Sequence, residues 1–144
     1  VYGSDNFTLP DAVMMEDGSV GKLSIPAINL SVSVYETDDA IESLAIGLAH
    51  MRESSCWAGN VAIAGHNSGV NEYFKNLYTL KEGDEISLTT ALGTRTYAVS
   101  FQQEIDEMDW SHIGRTEENM LTLVTCVNHD ATKRLIVRAI EKAS

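Results

Sequence analysis

Apolar and polar residues alternate with a period of two through much of the chain, and the alternation predicts short strands. Gly21-Lys-Leu-Ser-Ile-Pro26 alternates and stops at proline, which suits a strand in an edge position. Leu30, Val32 and Val34 alternate with Ser31 and Ser33 and predict a half-buried strand. Asn60-Val-Ala-Ile-Ala-Gly-His66 is an apolar strand ending in glycine and histidine. The turn Lys81-Glu-Gly-Asp84 leads into a strand over 85–89, Gly93 marks a hairpin, and Tyr97, Val99 and Phe101 alternate on the next strand. Leu121-Thr-Leu-Val-Thr-Cys126 predicts a buried strand ending in a thiol, and Arg134-Leu-Ile-Val137 another that begins with a guanidinium. Helical spacing is confined to two places. Asp39 and Glu42 form a capping box before Ile41, Leu44, Ala45 and Leu48, with Gly47 fraying or ending that helix. Asn71 caps one or two turns carrying Tyr73, Phe74, Leu77 and Tyr78. Residues 102–119 form a long polar connection, of a length that is often functional. The pattern predicts a mainly β domain over 21–144, of seven or eight short strands in a barrel or sandwich, behind an N-terminal arm over 1–20.

Composition adds boundaries. With 144 residues the chain is one domain, long enough to bury roughly 68–70% of its unfolded surface without metal or disulfides. No run approaches the ~18 apolar residues of a membrane span. A net charge of −11, from 10 basic and 21 acidic residues, argues against nucleic acid or an anionic bilayer as direct partner. Two cysteines, Cys56 and Cys126, make no disulfide framework.

The chemistry concentrates at 121–137. If these two strands pair antiparallel across the seven residues 127–133, Cys126 and Arg134 face each other at the loop mouth. Arg138 lies on the same face but about 13 Å further along, which makes it a surface or ion-pairing residue. Four histidines are candidate bases. His50 sits near the end of the expected helix, where a structural role suffices. His112 lies in the long connection, solvated, and His129 on a turn too flexible to hold a proton-transfer geometry. His66 ends a strand whose alanines allow close approach, beside a glycine that permits an unusual dihedral. A parallel run of that strand beside 121–126 would bring His66 and Cys126 to one sheet end.

Ala64-Gly-His66, Leu121-Thr-Leu-Val-Thr-Cys126 and Arg134-Leu-Ile-Val137 together resemble the His, TLxTC and Arg motifs of sortases, the cysteine transpeptidases of Gram-positive cell surfaces. Gly21–Pro26, Gly59-Asn60 and the segment from Leu80 to Ile86 match in order, so the resemblance covers roughly residues 21–140. It implies a closed β-barrel with one or two short helices. It implies a catalytic trio of His66, Cys126 and Arg134, and a peptide groove lined by Ala64, Val124 and Thr125, with Trp110 of the 102–119 connection as a further contact. No cofactor is expected. Some relatives hold calcium with acidic loops, but Glu104, Asp106, Glu107 and Asp109 read as a solvated loop, so no metal is expected either. The implied partners are surface proteins with a C-terminal LPXTG-like sorting signal, and an amine acceptor such as lipid II or a pilin lysine. The implied location is the extracellular face of the membrane, held by a segment upstream of Val1. Two features depart from the pattern. Asn67 follows the histidine where many sortases have arginine, and Cys56 is additional, expected to be free and structural.

Three other readings compete. A papain-like protease sets its cysteine at a helix start, and an L,D-transpeptidase carries a Ser-x-Gly-Cys signature that is absent here. A non-catalytic domain binding sorting peptides is the third, and intact Cys126, His66 and Arg134 weigh against it. Within the family, the arm 1–20 carries no evident lid motif, which leans away from a pilin-polymerising type.

Overall fold

The computed structural model describes residue 8 and residues 10–36, 46–51, 54–66, 73–109, 111–114, 116, 118–127 and 130–142. For residues 10, 11, 126, 127, 130 and 131 it describes the backbone. Among the described residues eight strands close into a barrel. They are β1 (Gly21–Ile25), β2 (Leu30–Tyr35), β3 (Leu48–His50), β4 (Asn60–Ala64), β5 (Glu85–Thr90), β6 (Gly93–Asp106), β7 (Met120–Val127) and β8 (Asp130–Glu141). Their order around the barrel is β1-β2-β3-β4-β7-β8-β6-β5, with β1 pairing β5 to complete the ring. The β2–β3 and β4–β7 pairs are parallel and the others antiparallel. The closed mainly β barrel is the expected architecture.

Closure changes the standing of β1. Leu23 faces Val32 of β2 on one side and Leu88 of β5 on the other, so β1 is not the edge strand its terminal proline suggested. Pro26 falls outside the ladder, where it opens a 3-10 turn over Pro26–Ile28, and its missing N–H costs no strand pairing. The period of two fills the interior: Leu23, Ile25, Ile86, Leu88, Tyr97, Leu121, Leu123 and Val137 all belong to one buried cluster. Each such side chain contributes about 1.5–3 kcal/mol of burial free energy. Gly93 begins β6 at φ 131, a backbone conformation that side-chain-bearing residues rarely adopt.

Three expectations need correction. Leu48 belongs to strand β3 and not to a helix, and His50 lies buried on that strand. A three-residue strand is too short for a period to show, and parallel pairing of Val34 with Leu48 decides it. The helix expected over 41–45, its cap at Asp39 and the cap at Asn71 lie outside the described residues. Strand β6 runs on to Asp106, so the long connection begins only at Glu107. Of Gln102 to Asp106 only Ile105 is buried, and a bulge between Val99 and Phe101 breaks the alternation just before it, so the segment looks like a polar loop in sequence. Finally, β7 and β8 reach Val127 and Asp130, which pair, so the seven-residue connection of the sequence reading is mostly strand.

The N-terminal stretch packs against the barrel where it is described. A short helix, α1 (Pro10–Val13), puts Val13 in the core, and the amide of Cys56 donates to the carbonyl of Thr8 at 2.9 Å.

Candidate active site

Strands β4, β7 and β8 lie side by side, and their registers align row by row. Ala62, Thr122 and Arg138 form one row, and Ala64, Val124 and Ile136 the next. Cys126 pairs with Arg134 in the row beyond. The intervening positions Val61, Ile63, Leu121, Leu123, Leu135 and Val137 all belong to the core cluster. Ala64, Val124, Ile136 and Arg134 therefore occupy the outer face of the barrel, where they line a groove of about 410 Å³. Met51 and Ile105 add apolar surface, and Asp106, Glu107, Asp109, His112 and Ile113 complete its wall. An apolar trough with a charged rim suits an extended peptide with a few polar anchors.

His66 is exposed and lies two residues beyond Ala64, as Cys126 lies two beyond Val124. The parallel β4–β7 pairing thus brings both chain positions to the same sheet end, and the β7–β8 register brings Arg134 there as well. The backbone leading to His66 is pinned. Gly65 donates its N–H to the carbonyl of Val124 at 3.1 Å and accepts the Thr125 hydroxyl at 2.8 Å. A Cβ on Gly65 would meet Leu48 Cδ2 at 2.7 Å and the Phe74 ring at 2.8 Å. Glycine is required here for close packing, not for the unusual dihedral its place in the sequence suggested, since its φ is not positive.

Arg134 is half-buried. Its guanidinium donates to the carbonyl of Lys133 at 2.9 Å and to Glu107 Oε2 at 3.5 Å. Glu107 is itself held to β8 through its N–H and the carbonyl of Thr132 at 2.9 Å. The acids of this loop are engaged locally: Asp106 accepts the amide of Met108, and Asp109 the amide and hydroxyl of Ser111. Those two Ser111 bonds draw the Asp109 carboxyl below its ordinary pKa.

Two of the expected groove residues, Ala64 and Val124, line the groove. Thr125 does not. It shares the parity of Leu121 and Leu123, is buried, and spends its hydroxyl on Gly65, so its contribution is to hold the backbone beside the groove. Trp110 and His129 lie outside the described residues. His112 is only 19% exposed at its side chain and lines the groove, so it is not the solvated residue expected.

Arg138 also departs from its expected surface role. It is half-buried, and its Nη2 donates to the carbonyl of His112 at 2.6 Å and to Thr122 Oγ1 at 3.0 Å. Asn60 and Thr122, both fully buried, were passed over in the sequence. Their signal was there: a buried amide and hydroxyl inside strands of apolar residues need specific partners.

A cysteine–histidine–carboxylate cluster lies elsewhere. His50 is paired through Nδ1 with Glu36, and its Nε2–H donates to the carbonyl of Ser55 at 2.7 Å. The Cys56 sulfur sits 3.8 Å from Nδ1 and 3.6 Å from Nε2. Nearly equidistant, it lies on neither nitrogen's lone-pair axis. Burial, and then the negative charge of Glu36, push the Cys56 thiol up to about 12. It is a free, buried thiol, and its burial disfavours the reactive thiolate.

Comparison with known proteins identifies relatives over most of the chain. The family model described as "Sortase domain" matches residues 23–142. Sortase A of Bacillus anthracis is 32% identical over 121 residues, covering 82% of this chain and 57% of that protein. Sortase A of Listeria monocytogenes is 30% identical over 131 residues, covering 88% of this chain and 59% of its own. The chain thus spans little more than half the length of these relatives. Among solved structures, sortase C1 of Streptococcus agalactiae superposes with a TM-score of 0.83 at 22% identity, over 91% of this chain and 71% of that one. Sortase C-1 of Actinomyces oris gives 0.81 at 22% identity, over 90% and 77%. These structural likenesses speak for the barrel alone. With the family model spanning 23–142 and relatives at 30–32% identity, the chain belongs to the sortase family.

Proposed function

We propose that this domain is a cysteine transpeptidase that cleaves an LPXTG-like sorting signal after its threonine and transfers the acyl group to an amine of the cell-wall precursor. The observation that carries the reading is the register: Cys126 opposite Arg134, with β4 parallel to β7 so that His66 shares their sheet end. On this reading the Cys126 thiolate attacks the threonine carbonyl carbon. A thiol with an ordinary pKa is only a few per cent thiolate at pH 7, and the imidazolium of His66 and the Arg134 guanidinium raise that fraction. Arg134 donates hydrogen bonds to the developing oxyanion or to the signal's backbone. The tetrahedral intermediate collapses with loss of the C–N bond, and His66 gives its proton to the leaving amine. Neutral His66 then takes a proton from the incoming amine as it attacks the thioester. The C–S bond breaks and the thiolate returns.

The apolar trough over Ala64, Val124 and Ile136 suits the leucine and proline of such a signal. Surface proteins bearing the signal are the first partners and lipid II the amine acceptor, at the outer face of the membrane. Relatives of 30–32% identity that carry the name sortase A favour this reading over polymerisation of pilins.

The test is a fluorogenic panel of LPXTG-like peptides with and without an amine acceptor, read together with intact-protein mass. Turnover, acceptor-dependent product and an acyl adduct on Cys126 support the assignment. Peptide binding without turnover or adduct would leave a non-catalytic binding domain.

A further inference from the structure

The outer face of β4, β7 and β8 carries the catalytic positions at one end and a buried polar network at the other. Asn60, Thr122 and Arg138 come from three adjacent strands, and their hydrogen bonds close on one another. The Thr122 hydroxyl donates to Asn60 Oδ1 at 2.8 Å and accepts from Arg138 Nε and Nη2 at 3.2 and 3.0 Å. The Asn60 amide donates to the carbonyls of His112 and Gly114, both at 2.9 Å. Arg138 Nη2 adds a second donor to the His112 carbonyl at 2.6 Å. Asn60 and Thr122 have no solvent exposure.

These donors grip the two carbonyls on either side of Ile113. Ile113 is buried, and with His112 it lines the groove together with Val124 and Arg134. A cation costs free energy to desolvate, and among the described residues no carboxylate pairs with Arg138. An apolar side chain would fill that space at lower cost. The guanidinium instead spends its donors on a loop carbonyl and on the hydroxyl that orients Asn60.

We propose that Asn60, Thr122 and Arg138 are positioning residues that fix residues 112–114 as a wall of the groove and so set the affinity for the peptide. This rests on the reading of the groove as the sorting-signal site. The network lies at the far end of the face from Cys126, so it acts on binding and not on the thiol. Its donors converge on a single carbonyl from two strands, which holds that carbonyl against movement in two directions.

The test uses Arg138→Met, which keeps the length of the side chain and removes its donors, with Arg138→Lys and Thr122→Val beside it. Losing a charged hydrogen bond predicts a KM for the signal peptide raised about tenfold in Arg138→Met, with kcat within about twofold. Arg138→Lys restores part of the loss. Alkylation of Cys126 by iodoacetamide, which needs no groove, keeps its wild-type rate. Hydrogen exchange at the amides of 111–114 speeds up in Arg138→Met and in Thr122→Val. That readout needs no turnover, so it stands even if the wild-type domain proves inactive on sorting peptides. Unchanged exchange at 111–114, an unchanged KM, or a fall in kcat and alkylation together would each overturn the proposal. If Arg138→Met does not fold, Thr122→Val and Arg138→Lys carry the same three measurements.

Discussion

The hydroxyl of Thr125 donates to the carbonyl of Gly65 at 2.8 Å, and so ties the residue before Cys126 to the residue before His66. Both groups are buried. The bond joins the ends of two strands some sixty residues apart in the chain, next to the two positions proposed as nucleophile and base.

Thr125→Val keeps the shape and removes the donor, leaving the Gly65 carbonyl unsatisfied, which costs about 1–3 kcal/mol. A fall in kcat/KM larger than this stability loss explains is expected, because His66 and Cys126 lose their fixed spacing. Thr125→Ser retains the donor and recovers most of the rate. Steady-state kinetics and thermal melts on the three proteins check it.

Cys126→Ala abolishes both hydrolysis and amine transfer. Arg134→Ala lowers kcat by about 10²–10³, the usual consequence of losing an oxyanion donor, and Arg134→Lys is also impaired because a point charge cannot replace the guanidinium fork. Full activity in Arg134→Ala would remove its assigned role. His66→Ala is inactive and His129→Ala is not; the reverse result would move the base to His129.

Gly65→Ala drives a methyl into Leu48 and the Phe74 ring at 2.7 and 2.8 Å. Overpacking of this kind costs about 1–3 kcal/mol, or roughly 5 °C in Tm for a domain of this size. The leucine tip can rotate away; the aromatic ring is the stiffer obstacle. Activity falls with stability, since His66 is the next residue. A melt at wild-type Tm would show that the ring has room to move.

Cys56 gives a pH signature. Its folded thiol is raised to about 12, against an unfolded value near 8.5. Between these values the unfolded chain loses its proton and the folded chain keeps it. The contribution to stability is therefore complete below about pH 8.5 and fades as pH rises towards 12. Cys56→Val flattens that alkaline decline in denaturant titrations from pH 8 to 11. Iodoacetamide at pH 8 adds one group to the native protein, at Cys126, and two after unfolding. Two groups on the native protein would mean that Cys56 is open to solvent.

Most of the strands were legible because alternation is a local property. Leu30–Val34, Glu85–Thr89 and Leu121–Cys126 carry their strand identity in five or six residues. The pairing of Cys126 with Arg134 was legible for a similar reason, since two strands joined by a short connection pair as neighbours. Thr125 was misplaced although the same period excludes it from the groove: it stands four residues from Leu121 and two from Leu123, on the core side.

The sequence by itself supplied the candidate chemistry, a thiol, a histidine and a guanidinium, each at one end of an apolar run, and the interior face of the strands that alternate. Only the tertiary structure decided that β4 lies parallel against β7, since that pairing joins segments some sixty residues apart and follows from closing the whole barrel. Closure also decided the fate of Arg138. Period two places it on the outer face with Arg134, but nothing local says that residues 112–114 fold over that end and turn an exposed cation into the anchor of a groove wall. Burial depends on what else comes to cover a face, and a strand does not encode its own neighbours.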